Sequence, residues 1–154
     1  METLDKTDLQ LLTLLQENAR YTNKELAEKL GLTVTPVYER VKRLERSGYI
    51  KQYVALLDTD KLGRGLLVMA HISLKEHAKE QLRKFEEKIR PLPPVVECYY
   101  VAGSFDYILK IAVPNMAAYQ RFLVDELASI QHISQVQSFF VMTEIKHTTA
   151  IPLG

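Results

Sequence analysis

Apolar residues recur at helical spacing from residue 5 to about residue 48, and from about residue 66 onward strand-like apolar runs alternate with amphipathic helices. This change of period predicts two domains. In the first, Asp5 or Thr7 is placed to cap a helix carrying Leu11, Leu12 and Leu15 on one face and ending near residues 18–21. Thr22 and Glu25 stand three apart as a capping box for a short helix that buries Leu26, Ala27 and Leu30 and stops at Gly31. Thr33 caps a third helix, in which Pro36 is tolerated because first-turn amides have no helical acceptor, and Gly48 ends it. Only Gly31 and Leu32 separate the second and third helices, and so tight a bend is the geometry of a helix-turn-helix. A three-helix core without function has the same spacing, so spacing alone leaves both readings open.

After Gly48, the residues Tyr49, Ile50, Tyr53 and Val54 predict a strand before the loop-like stretch 58–65, together a wing and linker. Beyond it the runs read as strand LLVMAHISL, helix over about 76–90, strand VVECYYVA, turn GSFD, strand YILKIAV, helix over about 115–129 and strand VQSFFVMTEI. Ala78, Leu82, Phe85 and Ile89 line one face of the first helix, and Met116, Tyr119, Phe122, Leu123 and Leu127 one face of the second. The order βαββαβ predicts a four-stranded antiparallel sheet with both helices on one side, the ferredoxin-like arrangement. The expected fold is therefore α+β, with a winged helix-turn-helix over 1–50, a linker over 51–65, the βαββαβ domain over 66–146 and a tail over 147–154. The strands are apolar at nearly every position, so another subunit is expected to cover the face that the helices leave open. A dimer would also present two recognition helices to a two-fold DNA site.

Charge enters the picture only locally. The net charge is +1, and residues 1–60 hold nine cations against ten acids. Over residues 39–51, however, Arg40, Lys42, Arg43, Arg46 and Lys51 face only Glu39 and Glu45. At about 100° per residue, Val37, Val41 and Leu44 form the inner stripe of the third helix. The outer side then presents Thr35, Glu39, Lys42, Arg43 and Arg46. Such a helix meets base edges near its N-terminus while cations pair with phosphates. Thr35, Tyr38 and Glu39 are placed for bases, Arg40, Lys42, Arg43 and Arg46 for phosphates, and Thr33 and Pro36 complete the expected DNA-facing set. For each cation the alternative is a solvated helix residue paired with a nearby glutamate.

Cys98 is the one cysteine, so an intramolecular disulfide and a cysteine-based zinc site are excluded. His71, His77, His132 and His147 lack metal-ligand spacing, no nucleophile stands with a base, and no phosphate-binding glycine-rich loop appears. The first ten residues lack the pattern of a secretory signal, and no stretch has the roughly 18 unbroken apolar residues of a membrane span. A cytoplasmic protein without cofactor or metal is expected, and not an enzyme.

The loop VAGSFDYIL has two readings. In one it is a hairpin turn, with Gly103 supplying a positive φ and Asp106 capping the backbone. In the other, amides near Gly103 meet a carboxylate and Asp106 an ammonium group, as recognition of a free amino acid requires.

LDKTDLQLLTLLQENAR, LAEKLGLTVTPVYERVKRLERSGYI and VAGSFDYILKIAVPNMAAY resemble the first helix, helix-turn-helix and ligand-loop signature of the Lrp/AsnC family, the leucine-responsive or feast/famine regulators. TPVYERVKRLE and GSFDYILK are most similar to the leucine-responsive branch. The resemblance implies a cytoplasmic, nucleoid-associated transcription regulator that binds double-stranded promoter DNA. It further implies homodimers assembling into octamers, with an amino-acid effector held between dimers. Carried over by position, the effector site involves Tyr100, Gly103, Ser104, Asp106 and Met116, with Phe139, Phe140 and Val141 nearby. Ser104 stands where close members often carry an acidic residue. Met116 and Phe140 favour leucine or methionine over a charged effector, which would need a buried partner. The alternatives are an enzyme similar to the siroheme decarboxylases, which share this domain pairing, and an amino-acid-binding module that does not read DNA.

Overall fold

The computed structural model describes residues 3–153. They fall into two compact units, Met1–Leu56 with Lys146–Gly154, and Leu57–Ile145. The C-terminal segment thus belongs with the first unit, where the Gln16 side chain accepts from the Ile151 amide at 2.8 Å and donates to its carbonyl at 3.1 Å.

The first unit is built from α1 (Lys6–Glu17), α2 (Asn23–Leu30) and α3 (Val34–Arg46). Reciprocal side-chain bonds cap the first two helices: Asp5 with Asp8 at α1, and Thr22 with Glu25 at α2. Gly31, at φ 66°, lets α2 turn directly into α3, and Gly48, at φ 76°, closes α3 in the same left-handed conformation. Leu11, Leu26, Ala27, Val37, Val41 and Leu44 form the core. The strand expected over Tyr49, Ile50, Tyr53 and Val54 is not formed. Residues 51–58 carry no regular structure, because a lone strand has no ladder partner and none lies beside it among the described residues.

Both capping carboxylates are held below their ordinary values of 3.8 and 4.5, Asp5 by the Asp8 amide and then Arg40, Glu25 by the amide and then the hydroxyl of Thr22. The unfolded chain therefore takes up these protons at higher pH than the folded one. The stability they contribute is fully present above the ordinary values and is lost as pH falls through the lower folded ones. Melting temperatures recorded between pH 6 and 3 are expected to fall less steeply for Asp5→Asn than for the native chain. Identical slopes would remove Asp5 from this account.

In the second unit, β1 (Leu66–Leu74), β2 (Val95–Tyr100), β3 (Tyr107–Val113) and β4 (Ile133–Phe140) form one antiparallel sheet in the order β2-β3-β1-β4. Alternate residues of β1 and β3, from Val68 to Leu74 and from Tyr107 to Val113, are buried against Phe85 and Ile89 of α4 (Lys79–Ile89) and Tyr119 of α5 (Met116–Arg121). α5 continues as a wider π-helical turn, in which the Leu127 amide donates to the Phe122 and Leu123 carbonyls. That i to i+5 step stacks Phe122 and Leu127 on one face, and both are buried.

The ferredoxin-like expectation holds. The last strand, expected over 136–145, lies instead over Ile133–Phe140. Its length is set by β1, whose Leu67 carbonyl takes the amide of Val141 and leaves no partner further on. Met142 and Ile145 are exposed beyond it.

Candidate functional site

The outer face of α3 carries part of the expected DNA-facing set. Thr33, Thr35, Pro36, Tyr38, Glu39, Lys42 and Arg46 are exposed. Thr33 begins the helix but makes no side-chain cap, so its hydroxyl is available to a ligand. Lys42 Nζ lies 2.9 Å from Glu45 Oε2 and 6.0 Å from the centre of the Tyr38 ring. The Glu45 contact holds the lysine pKa above its ordinary value, so it carries its charge.

Arg40 and Arg43 are placed differently. Arg40 Nη1 lies 2.6 Å from Asp5 Oδ2 and 2.7 Å from Asp8 Oδ1, and Arg43 Nη2 lies 2.6 Å from the same Asp8 oxygen. Asp8 is fully buried. In the chain without DNA the two arginines therefore tie α3 to α1, a role not expected of them from the sequence. The helical wheel accounts for Arg40, which falls about 60° from Val37 at the edge of the buried stripe, whereas Lys42, Arg46 and Thr35 fall opposite it; Arg43, about 120° from Val37, reaches back to Asp8 from the flank. Asp8, and the pairing of Asp5 with Arg40 beyond its expected capping role, are what sequence reasoning missed.

In the second unit, Asp106 leads into β3. Its Oδ2 accepts from the Leu74 amide at 2.7 Å, its amide donates to the Ile72 carbonyl at 2.9 Å and its carbonyl accepts from Val101 at 2.9 Å. The capping role expected of a turn aspartate is thus present, whereas the positive φ expected of Gly103 is not: the backbone turns here without it. Its Oδ1 lies 2.9 Å from His77 Nε2, a contact not foreseen from the sequence. Gly103 and Ser104 lie exposed beside it, and Tyr100 pairs across β2 and β3 with Tyr107, ring centres 5.1 Å apart. Tyr100 also borders a cleft of about 410 Å³ between β2 and α4, lined by Glu86, Arg90, Cys98 and Tyr107 among others. Tyr107 donates to Glu86 at 2.9 Å, and burial followed by that carboxylate raises its pKa.

Met116, Phe139, Phe140 and Val141 lie elsewhere. Tyr107 pairs with Ile72 at one end of the sheet, while Val113 pairs with Leu66 and Phe140 with Val68 at the other. Six residue steps along β3 separate the ends by on the order of 20 Å. Of the residues carried over as one effector site, Asp106 and Met116 thus lie at opposite ends of the sheet, with Phe140 toward the Met116 end and Phe139 between, its ring beside His71.

On the open face, His71 lies between Phe105 and Phe139 with ring centres 4.6 and 4.7 Å away, and Lys110 bonds Glu97 at 3.1 Å.

The Lrp/AsnC ligand binding domain model matches residues 67–151, and a winged helix-turn-helix DNA-binding model matches residues 4–51. The chain belongs to the Lrp/AsnC family. It is 38% identical over 148 residues to the leucine-responsive regulatory proteins of Klebsiella pneumoniae and Escherichia coli K12, covering 96% of this chain and 90% of each relative. Among solved structures, a transcriptional regulator from Neisseria meningitidis in complex with L-methionine is 40% identical. The match has a TM-score of 0.93 and covers 98% of this chain and 97% of that one. Escherichia coli AsnC matches with TM-score 0.89 at 25% identity, over 98% of this chain and 100% of that one. This Lrp/AsnC protein is accordingly a DNA-binding transcription regulator with a ligand-binding domain, and the decarboxylase alternative is set aside. Among its described residues no helix is long and apolar enough to cross a membrane.

Proposed function

We propose that this regulator binds two-fold promoter sites in the cytoplasm and responds to L-methionine or L-leucine held between copies of the chain. The observation that carries the reading is the separation of the effector residues. Asp106 offers a carboxylate for an ammonium group beside the exposed backbone of Gly103 and Ser104, whereas the apolar Met116 and Phe140 lie at the far end of the sheet. Two copies of the chain would be needed to bring such groups together. A relative 40% identical to this chain has been solved with L-methionine bound, which supports an apolar amino acid. The open face, with Leu67, Met69 and Ile108 half-buried around His71, supports a homodimer as the building block, and the octamer is its proposed further assembly. On α3, Thr33, Thr35, Pro36, Tyr38 and Glu39 are proposed to face bases, and Lys42 and Arg46 phosphates.

A thermal-shift screen of the twenty amino acids tests the effector. A ligand at 100 times its Kd stabilises the native state by about 2.7 kcal/mol, and at roughly 2–4 °C per kcal/mol the shift is easily read. L-methionine and L-leucine are expected to raise Tm. Lysine or aspartate doing so while neither of them does would sink the assignment. Asp106→Ala is expected to abolish the shift and leave DNA affinity largely intact. Equal loss of both would reduce Asp106 to its turn-capping role.

A further inference from the structure

We propose, on the reading of Asp106 as the partner of the effector's ammonium group, that His77 is a built-in competitor for that carboxylate. Asp106 has two oxygens to offer. Oδ2 is committed to the Leu74 amide at 2.7 Å, a bond that fixes the end of β1 and that an entering ligand does not replace. Oδ1 is the oxygen left for a ligand, and His77 Nε2 stands 2.9 Å from it. The Asp106 side chain is only 15% exposed while that of His77 is 65% exposed, so the contact joins a largely buried carboxylate to a solvent-facing imidazole.

The segment that carries His77 is suited to move. Residues 75–78 join β1 to α4 without regular structure and are exposed throughout. The Lys75 amide is anchored to the His132 carbonyl at 2.8 Å, but Ala78, the N-cap of α4, provides no side-chain cap. Displacing His77 therefore breaks one solvent-accessible contact and no core packing. Both contacts are made to a carboxylate and are charge-assisted, but an ammonium group brings a full positive charge and three donors to the oxygen that His77 meets with a single ring nitrogen. Exchange is favourable when the ligand's remaining groups are also satisfied. Until then His77 keeps the carboxylate occupied, and the apparent affinity is lowered by the fraction of molecules in which it is seated. His77 thereby sets the concentration at which the regulator responds.

Two measurements on the full-length protein decide this. In the effector-free state, the side-chain nitrogen signals of His77 observed by NMR are expected to move on Asp106→Asn; no change overturns the contact. Calorimetric titration with L-methionine and L-leucine then compares the native chain with His77→Ala and Asp106→Ala. Removing one competing hydrogen bond is expected to tighten binding in His77→Ala by roughly three- to tenfold. Saturation of the native chain should move the His77 signals to those of a free imidazole. Binding abolished in Asp106→Ala but equal in His77→Ala and the native chain overturns the competitor and leaves the site standing. Binding retained in Asp106→Ala, or absent from both the native chain and His77→Ala, overturns the site and the competitor together.

Discussion

Asp8→Ala is expected to cost the helix-turn-helix unit about 3 kcal/mol, in the range found when one partner of a buried ion pair is removed. Asp8 is fully buried, and its Oδ1 receives both Arg40 and Arg43 while its Oδ2 accepts from the Asp5 amide at 3.1 Å. Alanine leaves two guanidinium groups facing each other without a shared counter-ion and also removes half of the α1 capping box. The arginine side chains are 28% and 34% exposed, so water recovers part of the loss and the effect stays below that of a sealed pair. Asp8→Asn keeps the shape and one acceptor and is expected to cost less. Because the chain has two units, a single melting temperature mixes their contributions, and amide hydrogen exchange resolves them. Protection is expected to fall across α1 and α3 and to stay unchanged in β1 and β3. Unchanged protection in α1 and α3 would mean that the ion cluster does not hold these helices together.

The same cluster marks where sequence reading succeeds and where it stops. Features encoded within a few residues were legible. The Thr22 and Glu25 box, the Gly31 turn and the positions of β1 and β3 all depend on neighbours along the chain, and the structure has them as the pattern predicts. Features that depend on a distant partner were not. Arg40 looked like a phosphate contact because its acids, Asp5 and Asp8, lie 35 and 32 positions away along the chain. The last strand was misplaced toward the C-terminus because its limits come from the length of β1. The expected wing strand had the right residues and no partner. For the effector residues, the resemblance gave their identities, but only the sheet register revealed that Asp106 and Met116 lie at opposite ends. His77 carried no signal in the sequence, since a lone histidine in the first turn of an expected surface helix is an ordinary surface residue.

The division of the α3 cations into clamp and outer face yields a contrast that DNA titrations can read. Replacing Lys42 and Arg46 together with alanine is expected to weaken promoter binding by one to two orders of magnitude at physiological salt while leaving α1 and α3 protected from exchange. Each phosphate no longer neutralised flattens the plot of log K against log salt by about 0.9. A complex that presents two copies of α3 leaves up to four phosphates without their cations, and its slope should be shallower by roughly three to four. Arg40→Ala is expected to do the opposite. Its guanidinium is committed to Asp5 and Asp8, which hold its pKa above the ordinary value, so removing it should lower exchange protection and leave the salt slope of the remaining folded protein unchanged. A slope flattened as much by Arg40→Ala as by the outer-face pair, with protection intact, would show that Arg40 leaves its acids for phosphate when DNA arrives. The cluster would then be a store of cations released on binding rather than a clamp.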